Sequence, residues 1–426
     1  MNQTTAEFAQ VEQPRVRWWQ NYFLILIAAV MAHLWLIFIG QNGTGTPMGD
    51  ILFAYEPWVN WMIKTHHYFG LDTSWVYPYP AQIPMWIARL INPNDFQAGW
   101  LTMTTILDLL AISVLVRFGK RDADSHINYV AAWFWICFLV ALGPVSISRI
   151  DAITAVVAIF GVVQMTRRHL TASTSWFTLA TWMKVWPVAL LAGAVAGSRH
   201  WMRVILTAAA FSAGVVVLGF MLGGNFHMFG FLKDQQIRGL QLEAQISSVF
   251  IWAAQFGLGN AISYYDQKMM TFQISGQGTA VVASLMGIAL ALAFAITFWL
   301  TWRAKQAGRH YSEIMPIATL TAVLDLIFFN KVGSPQYVTW LAIPVILGVL
   351  YRTPRWKLPM MAVAIIAALT ELIYPTFYGL ILQGKPAGLL LLLIRNVGYL
   401  LLLIYANVRL SSLGAKQSAD QPHLAQ

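Results

Sequence analysis

The chain has 426 residues, of which 58% are apolar and only 10% charged, against about 25% charged in an ordinary soluble domain. So few charges cannot cover a water-facing surface, which excludes a soluble globular fold and leaves lipid to solvate most of the exterior. The net charge of +10 comes as small basic clusters between apolar runs, not as a basic, aromatic-rich module, so it points to anionic lipid and membrane orientation rather than to nucleic acid.

Apolar runs near the ~20 residues needed to cross a bilayer recur along the chain. After a short polar start with Arg15 and Arg17, the first runs from Tyr22 to Gly40 and reads as a retained signal anchor. Spans are predicted at 20–40, 97–118, 128–144, 150–166, 203–223, 278–302, 313–330, 336–350, 358–374 and 387–408. Between the fourth and fifth lies an apolar segment, 172–197, broken by Lys184 and Pro187 and flanked on both sides by arginines: Arg167, Arg168, Arg199 and Arg203. A re-entrant broken helix keeps both basic flanks on one side and is tolerated where it lines a polar cavity. The expected fold is therefore an all-α polytopic membrane protein with about ten transmembrane helices plus this re-entrant segment. It forms one domain over 1–413, with a disordered cytoplasmic tail over 414–426.

With both termini cytoplasmic, cytoplasmic segments hold 17 of the 27 Lys and Arg, including Lys120, Arg121 and Lys416. That is the asymmetry of a multi-pass plasma-membrane protein. The long polar stretches 41–96 and 224–277 then face outward, and the first, rich in Trp and Tyr, is expected to hold short amphipathic helices at the membrane surface. Cys137 is the only cysteine, so no internal disulfide forms. Adjacent His66 and His67 lack metal-ligand spacing, and no structural zinc is expected; a divalent ion at the carboxylates stays open.

Charges near or within a membrane are costly and mark function by default. On the outward half stand Asp50, Glu56, Arg149, Asp151, Lys184, Arg238, Glu243, Asp325 and Lys331. One carboxylate among several cations suits group transfer from a phosphate-linked donor: a base takes the acceptor proton and cations stabilise the departing phosphate. The same charges suit a transporter or flippase of a lipid-linked substrate, although only one broken helix is present where transporters pair two. A headgroup transferase is a third reading. Plainer roles stand beside these. Asp50 is also a good helix N-cap, Lys184 can snorkel, and Tyr77 and Tyr79 can anchor at the interface. Gln336 and Tyr337 can cap and pack after the Ser-Pro turn. Arg149 and Asp151, two apart on a helix, point to different faces, so each needs a partner elsewhere.

The local motifs are Met48-Gly49-Asp50-Ile51, Val76-Tyr77-Pro78-Tyr79-Pro80, Arg149-Ile150-Asp151, Lys184-Val185-Trp186-Pro187, Arg238-Gly239-Leu240-Gln241-Leu242-Glu243 and Ser334-Pro335-Gln336-Tyr337-Val338-Thr339-Trp340. In kind and order they resemble the GT-C superfamily of membrane glycosyltransferases, most closely family 87, the polyprenol-phosphate-mannose-dependent α-mannosyltransferases of actinobacteria. The resemblance runs in short islands from about Asp50 to Trp340. It implies an inverting enzyme that moves mannose from a polyprenyl phosphate to a glycolipid or lipoglycan on the non-cytoplasmic face, forming an α-mannoside, α-1,2 by resemblance. Asp50 takes the position of the catalytic base, with Glu56 as alternative. Lys184, Arg149, Arg238 and Lys331 are candidates for the donor phosphate. Tyr77, Tyr79, Asp151, Gln241, Gln336 and Tyr337 are candidates for the sugar and acceptor pocket. No cofactor is implied beyond the lipid-linked donor, and the partners are membrane lipids and the acceptor. In the family pattern Asp is followed soon by Tyr, whereas Asp50 and Tyr55 stand five apart.

Overall fold

The computed structural model describes residues 17–119, 125–232, 238–267, 269–352 and 355–415. Arg15, Lys120, Arg121 and Lys416 of the charge argument, and all but the first two residues of the expected tail, lie outside the described residues. Helix dominates, as the apolar runs require. In chain order the helices are α1 (Tyr22–Asn42), α2 (Glu56–Thr65), α3 (Gln82–Ile91), α4 (Phe96–Phe118), α5 (Ser125–Leu142), α6 (Val145–Ser148), α7 (Ile150–Thr166), α8 (Leu170–Met183), α9 (Val188–Gly197) and α10 (Trp201–Met221). Then follow α11 (Ser247–Gln255), α12 (Thr279–Gln306), α13 (Tyr311–Phe328), α14 (Val338–Arg352), α15 (Lys357–Glu371), α16 (Tyr378–Leu382) and α17 (Pro386–Leu413).

Among the described residues seven helical stretches are long and apolar enough to cross a membrane: α1, α4, α10, α12, α13, Lys357–Thr376 and α17. The shorter apolar helices α5, α7 and α14 complete the ten positions predicted from sequence. Their ends are set locally. Asn21 caps α1 by accepting from the Phe23 and Leu24 amides, and Asp95 caps α4 through the Ala98 amide. The predicted break is present: Lys184 is extended between α8 and α9, which at 14 and 10 residues are each shorter than a bilayer crossing requires. The first long loop holds the two short helices expected, α2 and α3. α3 buries Met85 and Ala88 and exposes Ile83, Ile87 and Leu90.

One element is not all-α. Residues Ile262–Asp266 and Thr271–Ser275 form an antiparallel hairpin, β1 and β2, in the second long loop. Gln273 of β2 bridges to Gln241, tying the hairpin to the segment around Glu243.

α7 is the hub. It is buried nearly all round and packs against α4, α8 and α14. Its small residues, Ala152, Ala155, Ala158 and Gly161, let neighbours come close, as in membrane helix packing generally. At Gly161 a side chain would collide with the Phe177 ring of α8. This packing holds the N-terminus of α7, with Arg149 and Asp151, rigidly in the protein. Two polar clusters lie away from it. Asp108 of α4 meets His33 of α1 at 3.2 Å and accepts from Trp135 Nε1 of α5 at 2.8 Å. Asp325, expected at the outward cavity, is instead buried in α13 and accepts from Thr297 of α12 at 2.6 Å. A carboxyl inside a bundle takes the nearest hydroxyl when water is out of reach.

Candidate active site

Two cavities meet at the ends of these helices, and each is built around one of the charge groups singled out in the sequence. The first, of about 590 Å³, is lined by Asp50, Arg149, Glu243, Gly333, Gln336 and Tyr374 among others. Asp50 makes no capping hydrogen bond. Its carboxylate goes to two partners instead: Arg149 Nη1 stands 2.8 Å from Oδ1, and the Tyr55 hydroxyl donates to Oδ2 at 3.4 Å. The Asp50 side chain keeps 36% of its exposure, while that of Arg149 keeps 5%. Tyr55 reaches Asp50 because residues Ile51–Tyr55 wind as a π-turn, in which the Glu56 amide bonds back five residues to the Ile51 carbonyl. In an α-helix residues five apart diverge by about 140°; the wider turn brings them to one face. The five-residue spacing that departs from the family pattern is thus met by the backbone.

The Tyr55 hydroxyl also accepts from the Ile150 amide at 3.0 Å, which links the Asp50 turn to the start of α7. Burial and then the Asp50 charge push the Tyr55 phenol well up, so it stays protonated and donates. Arg149 is extended between α6 and α7 and donates from Nη2 to Tyr374 Oη at 3.4 Å. Burial is the largest single influence and opposes its charge, but Asp50, Tyr374 and Tyr55 together outweigh it and hold the guanidinium above its ordinary pKa. Its Nε is buried with no hydrogen-bond partner among the described residues. Tyr55→Phe leaves the buried Ile150 amide unpaired, at an expected cost of about 1–3 kcal/mol. Thermal unfolding should record that loss, and turnover should fall with it, since Asp50 loses its hydroxyl anchor.

The second cavity, about 540 Å³, is lined by Tyr77, Lys184, Lys331 and Tyr337 at its polar end, and by Met286, Leu290 and Leu326 along α12 and α13. Lys184 Nζ is 2.5 Å from Asp151 Oδ2, which is wholly buried, and lies over the rings of Tyr77 and Tyr337 at 5.4 and 5.9 Å. Trp340 Nε1 donates to Asp151 Oδ1 at 2.6 Å, and its ring stacks on those of Tyr337 and Trp186. Arg149 and Asp151 therefore each find a partner on another element, as the two-residue spacing demands. Arg238 stands close enough to lower the Lys331 pKa, although burial is the larger cause. Burial first, then Asp50 and Asp151, push the Tyr77 phenol up, so this ring sits between the two charge groups. Consecutive residues divide the cavities: Gln336 lines the first and Tyr337 the second. Gly333 is needed beside them, because a side chain there would collide with the backbone of Glu243 and Ala244.

The sequence profile of glycosyltransferase family 87 matches residues 75–329. The chain belongs to glycosyltransferase family 87. It is a GT-C-like membrane glycosyltransferase, and of the readings open from sequence the enzyme stands over the transporter. Among curated proteins none matches the chain.

In this glycosyltransferase Asp50, Arg149, Lys184, Lys331, Tyr77, Gln336 and Tyr337 line the two cavities, and Arg238 adds its charge beside them. The other candidates are turned away. Glu56 points to Arg89 of α3 at 3.7 Å; one residue past the π-turn, it leaves the face that Asp50 and Tyr55 share. Tyr79 donates to the Val215 carbonyl of α10 and packs with Leu71 and Met228, because a tight turn over Tyr79–Ala81 directs it away from Tyr77. Asp151 lies beneath the second cavity as the partner of Lys184 rather than on its wall. Gln241 is buried, its backbone N–H donating to the Lys331 carbonyl at 2.9 Å, so it ties two loops together. Two residues carry no sequence signal as strong as that of Tyr55, which already stands out as the tyrosine after Asp50. Tyr374 is an ordinary-looking tyrosine. Arg395, inside the last span, pairs with Glu243 at 2.8 Å, both buried; a lone cation amid an apolar run was the available signal.

Proposed function

We propose that this family 87 glycosyltransferase moves mannose from a polyprenyl phosphate to a lipid-borne acceptor on the non-cytoplasmic face, with inversion to an α-mannoside, α-1,2 in linkage. The observation that carries the reading is the division of labour across the Gln336–Tyr337 boundary. A half-open carboxylate stands on one side, and Lys184, Lys331 and Arg238 gather on the other. Inversion needs nucleophile and leaving group on opposite faces of the anomeric carbon, and a sugar straddling that boundary meets the requirement.

Asp50 accepts the proton of an acceptor hydroxyl. That oxygen bonds to C1 as the C1–O bond to phosphate breaks, and polyprenyl phosphate leaves with the electron pair. Arg149 occupies one carboxylate oxygen, while among the described residues the other accepts just the long bond from Tyr55, so lone pairs remain for the acceptor. Lys184 and Lys331, with Arg238, hold the charge that grows on the phosphate. The apolar walls from α12 and α13 suit the isoprenoid chain. These cations can neutralise the leaving group without a metal. Purified protein given labelled polyprenyl-phosphate mannose and a membrane glycolipid should yield an α-mannoside and free polyprenyl phosphate. Transfer only from a polyprenyl-phosphate pentose would overturn the sugar, and no transfer from any polyprenyl phosphate would overturn the donor class.

The charge on Lys331 gives a pH signature. Burial and then Arg238 lower its pKa, so it loses its proton at a lower pH than an ordinary lysine. The donor KM is expected to rise on the alkaline side as this charge fades, with Lys331→Arg removing that limb because arginine stays protonated. A lowered lysine pKa penalises the fold below that lysine's ordinary value, and the penalty lifts as pH rises. The alkaline limb is therefore a loss of binding, and folding measured over the same range should not follow it.

A further inference from the structure

A third cavity, of about 660 Å³, opens between α11, α12, α13 and α17 and belongs to neither charge group. Its body is apolar, with Val249 and Trp252 of α11, Met286 of α12, Phe329 after α13, and Leu393 and Val397 of α17. Val249 and Val397 are themselves exposed on the bundle exterior, so the cavity is open from the side that faces hydrocarbon. One end is polar. Ser248 accepts from Asn396 Nδ2 there at 2.8 Å, and Gln245, 7% exposed, lines this end with a buried side-chain carbonyl that has no hydrogen-bond partner among the described residues. A buried carbonyl without a donor carries a desolvation penalty that a ligand hydroxyl removes.

The cavity adjoins the two already described. Met286 and Phe329 are shared with the Lys184 cavity. Glu243, two residues before Gln245, lines the Asp50 cavity, and two residues of extended chain span about 7 Å. A molecule with its hydrocarbon along α17 and its polar head at Gln245 therefore has that head next to the segment that lines the Asp50 cavity through Glu243.

We propose that this groove holds the hydrocarbon chain of the acceptor lipid, with Gln245 accepting a hydroxyl of its head group. The assignment rests on the reading of Asp50 as base and of the Lys184 cavity as the donor's, and it makes the acceptor a lipid held inside the bundle. The two lipids then enter on either side of Met286 and Phe329, and their heads converge at the Gln336–Tyr337 boundary.

The test uses the full-length protein in phosphatidylcholine vesicles with mannosyl diacylglycerol carrying a diazirine in its acyl chain. Cross-links are expected in the segments 245–256 and 390–400, in excess over phosphatidylcholine bearing the same chain. Leu393→Trp, which fills the groove, should remove that excess, and unlabelled polyprenyl phosphate should not. Equal labelling by phosphatidylcholine means annular lipid only and overturns the proposal, as does displacement by polyprenyl phosphate, which would make the groove the donor's. In transfer assays Leu393→Trp and Gln245→Leu should raise the KM for the glycolipid about tenfold or more, a range that a filled groove or a lost hydrogen bond covers. The donor KM and the rate on water-soluble methyl mannoside should stay unchanged, which also shows that the variants are folded. Equal loss on both acceptors overturns the assignment. Specific cross-linking without transfer by the wild-type protein instead leaves the groove as a lipid site and removes the catalytic reading.

Discussion

Asp50→Asn is expected to lower turnover by about 10² to 10⁴, the range general-base catalysis supplies, with the donor KM little changed. Asparagine keeps the shape of the side chain and an oxygen for Arg149 but cannot accept the acceptor's proton. It also leaves the buried Arg149 without its countercharge, so stability must be measured alongside. Glu56→Gln is the matched control. The Glu56–Arg89 pair is 3.7 Å apart and partly exposed, and pairs of this kind are worth about 0–1 kcal/mol. Turnover should therefore be close to wild type. If Glu56→Gln loses activity while Asp50→Asn retains it, the base has been assigned to the wrong carboxylate.

Lys184→Met should be the most damaging single change. Asp151 is fully buried, and its salt-bridge partner among the described residues is Lys184. Removing one partner of a buried pair costs about 3–5 kcal/mol, because the remaining charge is stranded out of water. The variant should lose thermal stability and transfer together, which alone would not separate folding from function. The double variant Lys184→Met/Asp151→Asn does separate them. The asparagine needs no countercharge and still has an oxygen for Trp340 Nε1, so much of the stability should return. Transfer should not, since the cation over Tyr77 and Tyr337 remains absent. Recovery of both would reduce Lys184 to a structural counterion.

The helical frame was legible because membrane crossing fixes a length and a polarity, and both are written along the chain. Predicted and observed spans agree within a few residues at most ends, and the Lys184–Pro187 break lies where the charge and the proline put it. The partners of Arg149 and Asp151 were legible only as a negative: helical geometry says that two-apart residues do not pair, but not that one meets Asp50 and the other Lys184. Those contacts join residues 99 positions apart in the first case and 33 in the second, and no local pattern encodes them. The β1–β2 hairpin escaped because its residues lie in a long polar loop whose composition reads as irregular. Tyr79 could not be told from Tyr77 in the sequence because the two share a repeated Tyr-Pro pattern, and a single tight turn sends the two rings apart.

The wide turn at Ile51–Tyr55 carries a consequence for how this segment can change over time. It holds one residue more than an ordinary helical repeat needs, and that surplus sets the phase between the carboxylate and the phenol that steadies it. Removing one residue would leave the carboxylate and the phenol four apart, a spacing that an ordinary α-helix already places on one face, whereas with the residue present only the wide turn keeps them together. In this stretch the number of residues and the winding of the backbone therefore change as a pair.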